Sequence, residues 1–223
     1  ALKAFGVSVQ EEKEAFIVSG RGGKLSTPEE DIFIGNAGTT MRFLTTFSAL
    51  VPGKTRLDGD ERMRQRPLAD LLHCLTQMGV KAVSANGNGC PPIDIAGGEV
   101  PGGEVQLAGD KSSQYLTSIL LSAPYFKNDT CIHIQGDLTS KSYADITLDI
   151  MKTFGVSVIN ESYQRFKVKA GDRYNAQTYQ VESDWSSASY FLAAAAVTGG
   201  EVTLTDINPH SVQGDAQFTS VLE

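Results

Sequence analysis

One pattern occurs three times along this chain, and that recurrence restricts the possible folds more than any single motif does. Thr40-Met41-Arg42-Phe43-Leu44, Ser113-Gln114-Tyr115-Leu116 and Ser187-Ala188-Ser189-Tyr190-Phe191-Leu192 each open a run with helical spacing. Two of these runs lead to a second helix that closes on Gly-Val, at Gly79-Val80 and Gly155-Val156. A third closure, Phe5-Gly6-Val7, stands near the N-terminus with no helix expected before it. Glycines 6, 79 and 155 are spaced by 73 and 76 residues, so the next is expected beyond Glu223. Each unit has too little apolar surface for a core of its own, so copies must pack on one another. Three copies favour a closed pseudo-symmetric ring, and the mid-pattern ends lead us to expect a piece of a larger repeat protein.

Aligned on the Gly-Val closures, the unit reads helix, strand, helix, strand, strand, strand. In its best copy, residues 40–50 place Met41, Phe43, Leu44, Phe47 and Leu50 at near-helical spacing. Pro52-Gly53 stops that helix, and residues 54–57 read as a strand. A second helix is expected from Pro67, whose missing N–H suits a first turn. It would bury Leu68, Leu71, Leu72, Leu75 and Met78 and end at Gly79. Strands are expected at 81–83, 93–95 and 104–107. The second copy predicts helices over 113–122 and 143–154, with strands over 131–134, 156–158, 166–168 and 178–181. The third predicts a helix over 186–197, a strand at 201–204 and a second helix within which the chain breaks off near Val221. Such alternation is that of an α/β (α+β) fold with helices packed on sheets.

A net charge of −7 argues against a general nucleic-acid or anionic-membrane binder. The longest apolar stretch, residues 190–197, is far too short to cross a bilayer. Cys74, Cys90 and Cys131 are odd in number and lack CxxC spacing, which indicates neither a disulfide framework nor a zinc site. A reducing, cytoplasmic setting is expected. The arginines are uneven: Arg42, Arg56, Arg62, Arg64 and Arg66 are five of the chain's eight. One cationic segment in an acidic protein suggests a small anionic ligand.

Each first helix begins with adjacent hydroxyls, Thr39-Thr40, Ser112-Ser113 and Ser186-Ser187. Hydroxyls there cap free backbone N–H groups, and symmetry would aim at least two helix N-termini at one region, where they favour an anion such as phosphate. Gly35-Asn36-Ala37-Gly38 precedes the first start, and its small residues allow a ligand close to the backbone. Neither a Walker A loop nor a dinucleotide fingerprint is present. Guanidinium groups of Arg62, Arg64 and Arg66, with Arg42 one turn into the neighbouring helix, suit bidentate pairing with carboxylate or phosphate. Ser140, Lys141 and Tyr143 occupy the matching connection of the second copy. His73, His133 and His210 read as structural, since no carboxylate or nucleophile partner is evident in sequence. Trp185 reads as a packing anchor.

Together these blocks resemble the 5-enolpyruvylshikimate-3-phosphate synthase family. The likeness is carried by Gly35-Asn36-Ala37-Gly38-Thr39-Thr40-Met41-Arg42, Arg62-Met63-Arg64-Gln65-Arg66-Pro67-Leu68 and Ser112-Ser113-Gln114-Tyr115-Leu116. Gly136-Asp137-Leu138-Thr139-Ser140-Lys141-Ser142-Tyr143 and Ser186-Ser187-Ala188-Ser189-Tyr190-Phe191 continue it in order. The resemblance implies transfer of the enolpyruvyl group from phosphoenolpyruvate to the 5-hydroxyl of shikimate 3-phosphate, releasing phosphate. It also implies two similar domains of three βαβαββ-like units that close over the substrates. Gly38 and Arg66, with Arg42 nearby, would meet phosphoenolpyruvate; Ser112, Ser113 and Ser140 would hold the shikimate phosphate. Gln114 would lie between the two substrates and Tyr143 near the shikimate ring. No metal or organic cofactor is required, and a monomer is expected.

Two departures follow from the same resemblance. Phe43 stands where many members have Pro, which bears on inhibitor response and local helix geometry. The family is nearly twice as long, so residues 1–182 would form one domain and 183–223 the start of the other. Acid/base residues are then expected in the missing half, with no catalytic residue in this chain and no turnover by it alone. Rival readings are a sister enolpyruvyl transferase acting on UDP-N-acetylglucosamine, and a non-catalytic module binding a phosphorylated small molecule. The first usually carries a cysteine in the loop before its Arg-Pro, and residues 59–66 contain none.

Overall fold

The computed structural model describes residues 1–222. The chain divides into two compact parts, Ala1–Ala176 and the residues from Gln177 onward. In the larger part the repeat takes physical form. A 3-10 turn over Leu2–Phe5, unexpected from sequence, ends in left-handed Gly6 and runs into the antiparallel hairpin β1 (Ser8–Glu11) and β2 (Phe16–Ser19). The first full unit holds β3 (Ile32–Phe33), α1 (Gly38–Ser48), β4 (Gly53–Asp58), α2 (Ala69–Gln77), β5 (Lys81–Ser84) and β6 (Ile93–Gly97). The second holds β7 (Gly103–Ala108), α3 (Ser113–Ser122), β8 (Thr130–Gln135), α4 (Lys141–Thr153), β9 (Val158–Glu161) and β10 (Arg165–Val168).

Both units build the same sheet, in the orders β3-β4-β6-β5 and β7-β8-β10-β9. The first pair of each is parallel and the remaining pairs are antiparallel. This pairing sets the frame of the repeat as βαβαββ. The strand over Gly103–Ala108, read from sequence as the end of one copy, opens the next because it pairs in parallel with β8.

The glycine closures have a common cause. Gly6, Gly79 and Gly155 have φ of 79°, 81° and 89°. After α2 the Gly79 N–H bonds the Thr76 carbonyl and the Val80 N–H bonds the Leu75 carbonyl, so the last carbonyls are satisfied only if the chain turns left-handed.

Helix α3 is the centre of the core. Tyr115, Leu116, Thr117, Ser118, Ile119 and Leu120 are all buried, so it has no solvated face. Its buried hydroxyls must then find partners within the protein. Ser118 Oγ donates to the Arg42 carbonyl at 2.6 Å and lies 2.6 Å from Thr46 Oγ1, joining α3 to α1. Thr147 donates to the Tyr143 carbonyl, which leaves Thr117 to donate to Thr147 at 2.7 Å and join α3 to α4.

Several expected boundaries move, each for a local reason. Helix α1 begins at Gly38 and not at residue 40. Helix α2 begins at Ala69, because Arg66, preceding Pro67, is held extended (φ −86°, ψ 122°). Helix α4 begins at Lys141, directly after left-handed Ser140. Strand β9 begins at Val158, since the Val156 N–H is spent on the Met151 carbonyl in the helix closure. The expected strands at 178–181 and 201–204 do not form. In the two full units a parallel pair is always extended by an antiparallel hairpin, and a two-stranded ribbon without that support is marginal in water.

The smaller part holds α5 (Trp185–Thr198) and α6 (Phe218–Leu222). Trp185 is buried and donates its indole N–H to the Asn208 carbonyl at 2.9 Å. Among the described residues no helix is long and apolar enough to cross a membrane.

The two left-handed closures separate backbone strain from crowding. A Cβ at Gly79 would meet Pro101 at an ordinary 3.5 Å, whereas one at Gly155 would also press on Asn175, with Cγ at 3.1 Å. Gly79→Ala should therefore cost about 1–2 kcal/mol from conformation alone. Gly155→Ala should cost more, and urea denaturation of both variants measures the difference.

Candidate functional site

The eight residues singled out in sequence all lie where polypeptide leaves the carboxyl ends of the parallel strands. Gly38 and Arg42 follow β3, Arg66 follows β4, Ser112, Ser113 and Gln114 follow β7, and Ser140 and Tyr143 follow β8. In open α/β sheets this is the edge at which ligands bind.

Within each unit the two loops at this edge are tied together. The Asp60 N–H bonds the Gly35 carbonyl at 3.2 Å, and a Cβ on Gly59 would collide with that same carbonyl. In the second unit the Thr139 N–H bonds the Gly109 carbonyl at 2.9 Å, and a Cβ on Gly109 would lie 2.7 Å from the Asp137 carbonyl oxygen. The loop carrying Ser140 is thus fastened to the loop leading into Ser112.

Gly38, Arg66 and Arg42 converge. A Cβ placed on Gly38 would strike Arg66 Nη1, with Arg66 Cζ at 3.5 Å and Arg42 Nη1 at 3.8 Å. With Met41, Met63, Pro67 and Leu68 these residues line a shallow cleft that the guanidinium groups fill, leaving no room for a water molecule, so a ligand there must displace an arginine side chain. Glycine is required there so that the guanidinium can lie against the backbone. Helix α1 has Ala37 at its N-cap, and no side chain bonds its first N–H groups. Among the described residues the N–H groups of Gly38, Thr39 and Thr40 have no backbone partner, and Met41 N–H is the first to bond back, to Ala37. Free donors, a helix N-terminus and two guanidinium groups at one point describe an anion site.

The expected hydroxyl caps are only partly realised. Ser112 caps α3, its Oγ accepting from the Gln114 N–H at 3.3 Å. Thr39 and Thr40 lie inside the first turn of α1 and do not cap it. Helix α5 is capped by Asp184, which accepts from the N–H groups of Ser186 and Ser187, so that pair is not the cap either. Ser113 is buried, whereas Ser140 and Tyr143 are exposed. Ser140 sits in the left-handed region at φ 54° and ψ 52°, a conformation rare for serine.

Gln114 joins the two halves. Its Oε1 accepts a short bond from Arg42 Nη1, and its Nε2 donates to Thr39 Oγ1 at 3.1 Å. Sequence reasoning missed two supports of this bridge. Tyr115 lies under Arg42, with the guanidinium carbon 5.6 Å from the ring centroid, and its hydroxyl donates to the Pro67 carbonyl at 2.7 Å. Ser118 holds the Arg42 carbonyl. Both follow Gln114 by less than two turns, but only the packing of α1 on α3 reveals what they touch.

Four of the five clustered arginines divide into two groups, while Arg62 lies exposed at the start of the 3-10 turn over Met63–Gln65. Arg56 pairs with Asp94 through Nε at 2.6 Å, and Arg64 pairs with Asp58 through Nη2 at 2.5 Å. Arg42 and Arg66 alone meet at Gly38. The Arg64 hydrogen bond holds the Asp58 carboxyl below its usual value, against a partial burial cost and with help from the Gly59 N–H. A larger hollow of about 530 Å³ lies beside β4, β5 and β6 on the opposite, exposed sheet face, rimmed by Glu29, Glu30, Lys54, Lys81 and the Arg56–Asp94 pair. Its charges are mixed and it lacks free helix donors, so the Gly38 cleft is the stronger candidate.

A repeated βαβαββ unit, with a parallel pair extended by an antiparallel hairpin, is the architecture of the enolpyruvyl transferase-like proteins. A family model for EPSP synthase (3-phosphoshikimate 1-carboxyvinyltransferase) matches residues 1–223, and the chain belongs to that family. Relatives named 3-phosphoshikimate 1-carboxyvinyltransferase include one from Pseudoalteromonas translucida (strain TAC 125), 45% identical over all of this chain and 53% of its own length. Another, from Sulfurovum sp. (strain NBC37-1), is 47% identical over the same shares. The fold matches EPSP synthase from Acinetobacter baumannii with a TM-score of 0.78 and 26% identity, over 93% of this chain and 47% of that one. The chain therefore spans about half the length of the curated relatives it matches.

Asp58 contributes stability that is fully present above its unfolded carboxyl value and is lost as pH falls through the lower folded value. Asp58→Asn should remove that acid-side dependence and loosen the loop that carries Arg66. Urea midpoints measured from neutral to acid pH should converge for the two proteins at the acid end.

Proposed function

We propose that this chain supplies the anion-binding half of an enzyme that transfers the enolpyruvyl group from phosphoenolpyruvate to the 5-hydroxyl of shikimate 3-phosphate, releasing phosphate. The observation that supports the reading is the Gln114 side chain, which comes from the helix that Ser112 caps and bonds Arg42 and Thr39 of α1. The cradle of Gly38, Arg42 and Arg66 suits a small ligand bearing both carboxylate and phosphate, because guanidinium forks and free N–H groups neutralise dense charge. The cradle of Ser112, Ser113 and Ser140 offers neutral donors, which suit the phosphate of a larger polyol. Tyr143, exposed one turn beyond Ser140, is available to the ring of that substrate. Gln114 can then contact both substrates from between them.

The work assigned to these residues is orientation and charge stabilisation as one anion attacks the other. Acid/base groups come from the remaining half of the protein. Residues 1–182 form one domain of repeats around a pseudo-threefold axis, and the residues after them begin the second. The enzyme acts as a cytoplasmic monomer.

In the protein carrying the family's full length, Arg66→Ala should weaken apparent affinity for phosphoenolpyruvate by about ten- to a hundredfold, the scale of a charged hydrogen bond. Affinity for shikimate 3-phosphate should change far less. Steady-state kinetics with each substrate varied in turn provides the test, and equal losses for both would remove Arg66 from this role. For the 223-residue chain, calorimetry should detect weak binding of shikimate 3-phosphate that Ser113→Ala abolishes.

A further inference from the structure

The exposed face of the second sheet holds a group of side chains that the proposed reaction does not use. Cys131 and His133 alternate along β8, so both point to the solvent side, while Ile132 and Ile134 enter the core. Glu104 on β7 stands opposite Cys131 in the parallel register. His133 Nε2 contacts the Glu104 carboxylate closely and lies 3.5 Å from Cys131 Sγ. The three ligand atoms all fall within 4.8 Å of one another. Sequence spacing gave no sign of this, because a Cys-x-His pair becomes a cluster only when a second strand adds its carboxylate.

We propose that Cys131, His133 and Glu104 form a surface site for a borderline-soft divalent cation of the zinc class. Tetrahedral zinc, with ligands at about 2.0–2.3 Å, holds its donor atoms about 3.3–3.8 Å apart. The thiol–imidazole separation already matches, and small rotations of the exposed Glu104 side chain would open the third position. Thiolate, imidazole and carboxylate on a rigid sheet are the ligand set that such an ion prefers over harder cations. Binding converts the Cys131 thiol to thiolate and releases its proton to solvent. Water completes the coordination, since the face is open.

Neighbouring charges act in both directions. Arg165 and Lys167 on β10 stand beside His133 and Cys131 in register and oppose a cation. Both also pair with Glu161, with Lys167 Nζ at 2.7 Å from its carboxylate, which offsets part of their charge, although both still act on Cys131 and Arg165 acts on Glu104. A bound ion would clamp β7, the sheet's edge strand, to β8 and so stabilise the second repeat.

Cobalt(II) and zinc(II) titrations of the 223-residue chain provide the test. One equivalent of cobalt should bring up a thiolate-to-metal charge-transfer band, which zinc then displaces. Cys131→Ser should abolish the band, and His133→Gln should weaken zinc binding more than about tenfold. Cys90→Ser should change neither, and circular dichroism checks that each variant is folded. Zinc should raise the unfolding midpoint of the parent chain and leave that of Cys131→Ser unmoved. A parent chain without the band, or a band that survives Cys131→Ser, would overturn the proposal.

Discussion

Burial of α3 on every side is the constraint from which the rest of the larger part follows. A helix with no solvated face can keep serine and threonine only if its own carbonyls or its neighbours give their hydroxyls partners. Ser118 and Thr117 meet that demand in opposite directions, one to α1 and the other to α4. A Leu-only seam would let the three helices slide in register. Paired hydroxyls fix the register, because each costs about 1–3 kcal/mol if left unmade. The N-termini of α1 and α3 are therefore held level at one edge of the molecule.

From that alignment the site is built with little further adjustment. Arg42 is one turn into α1 and Gln114 is in the first turn of α3, so level helices put the two within hydrogen-bond reach. Tyr115 then fixes Arg42 from beneath and Pro67 from the side. Proline at 67 holds Arg66 extended, and the absence of a side chain on Gly38 leaves room for its guanidinium. Core packing and the candidate site share the same helix, since the half-buried Ser112 and Gln114 lead directly into the fully buried residues 115–120.

Much of this was legible in the sequence because its signals were local. Helical spacing identified residues 113–122 without error, and left-handed closures were announced by Gly-Val at three places. Clustering of arginine indicated an anion, yet it could not tell Arg42 and Arg66 from Arg56 and Arg64. That distinction depends on Asp58 and Asp94, which reach their partners only through loop and sheet geometry. Hydroxyl pairs were read as caps by residue type alone, and Asp184 displaced one pair because the helix starts at Trp185 and puts Asp184, not a serine, at the N-cap. His133 looked partnerless for the same reason: its carboxylate neighbour is 29 residues away and arrives by strand pairing.

Gln114 has a consequence of a different kind. Its carbonyl is occupied by Arg42 and its amide by Thr39, so under the proposed function a ligand that engages Gln114 must displace a contact to α1. The binding free energies at the two cradles are then not independent. By linkage, whatever the first ligand does to affinity at the second cradle, the second must do in equal measure to the first. Under that function the sign of the coupling is set by how the amide reorients, and one glutamine links the two proposed ligand positions thermodynamically.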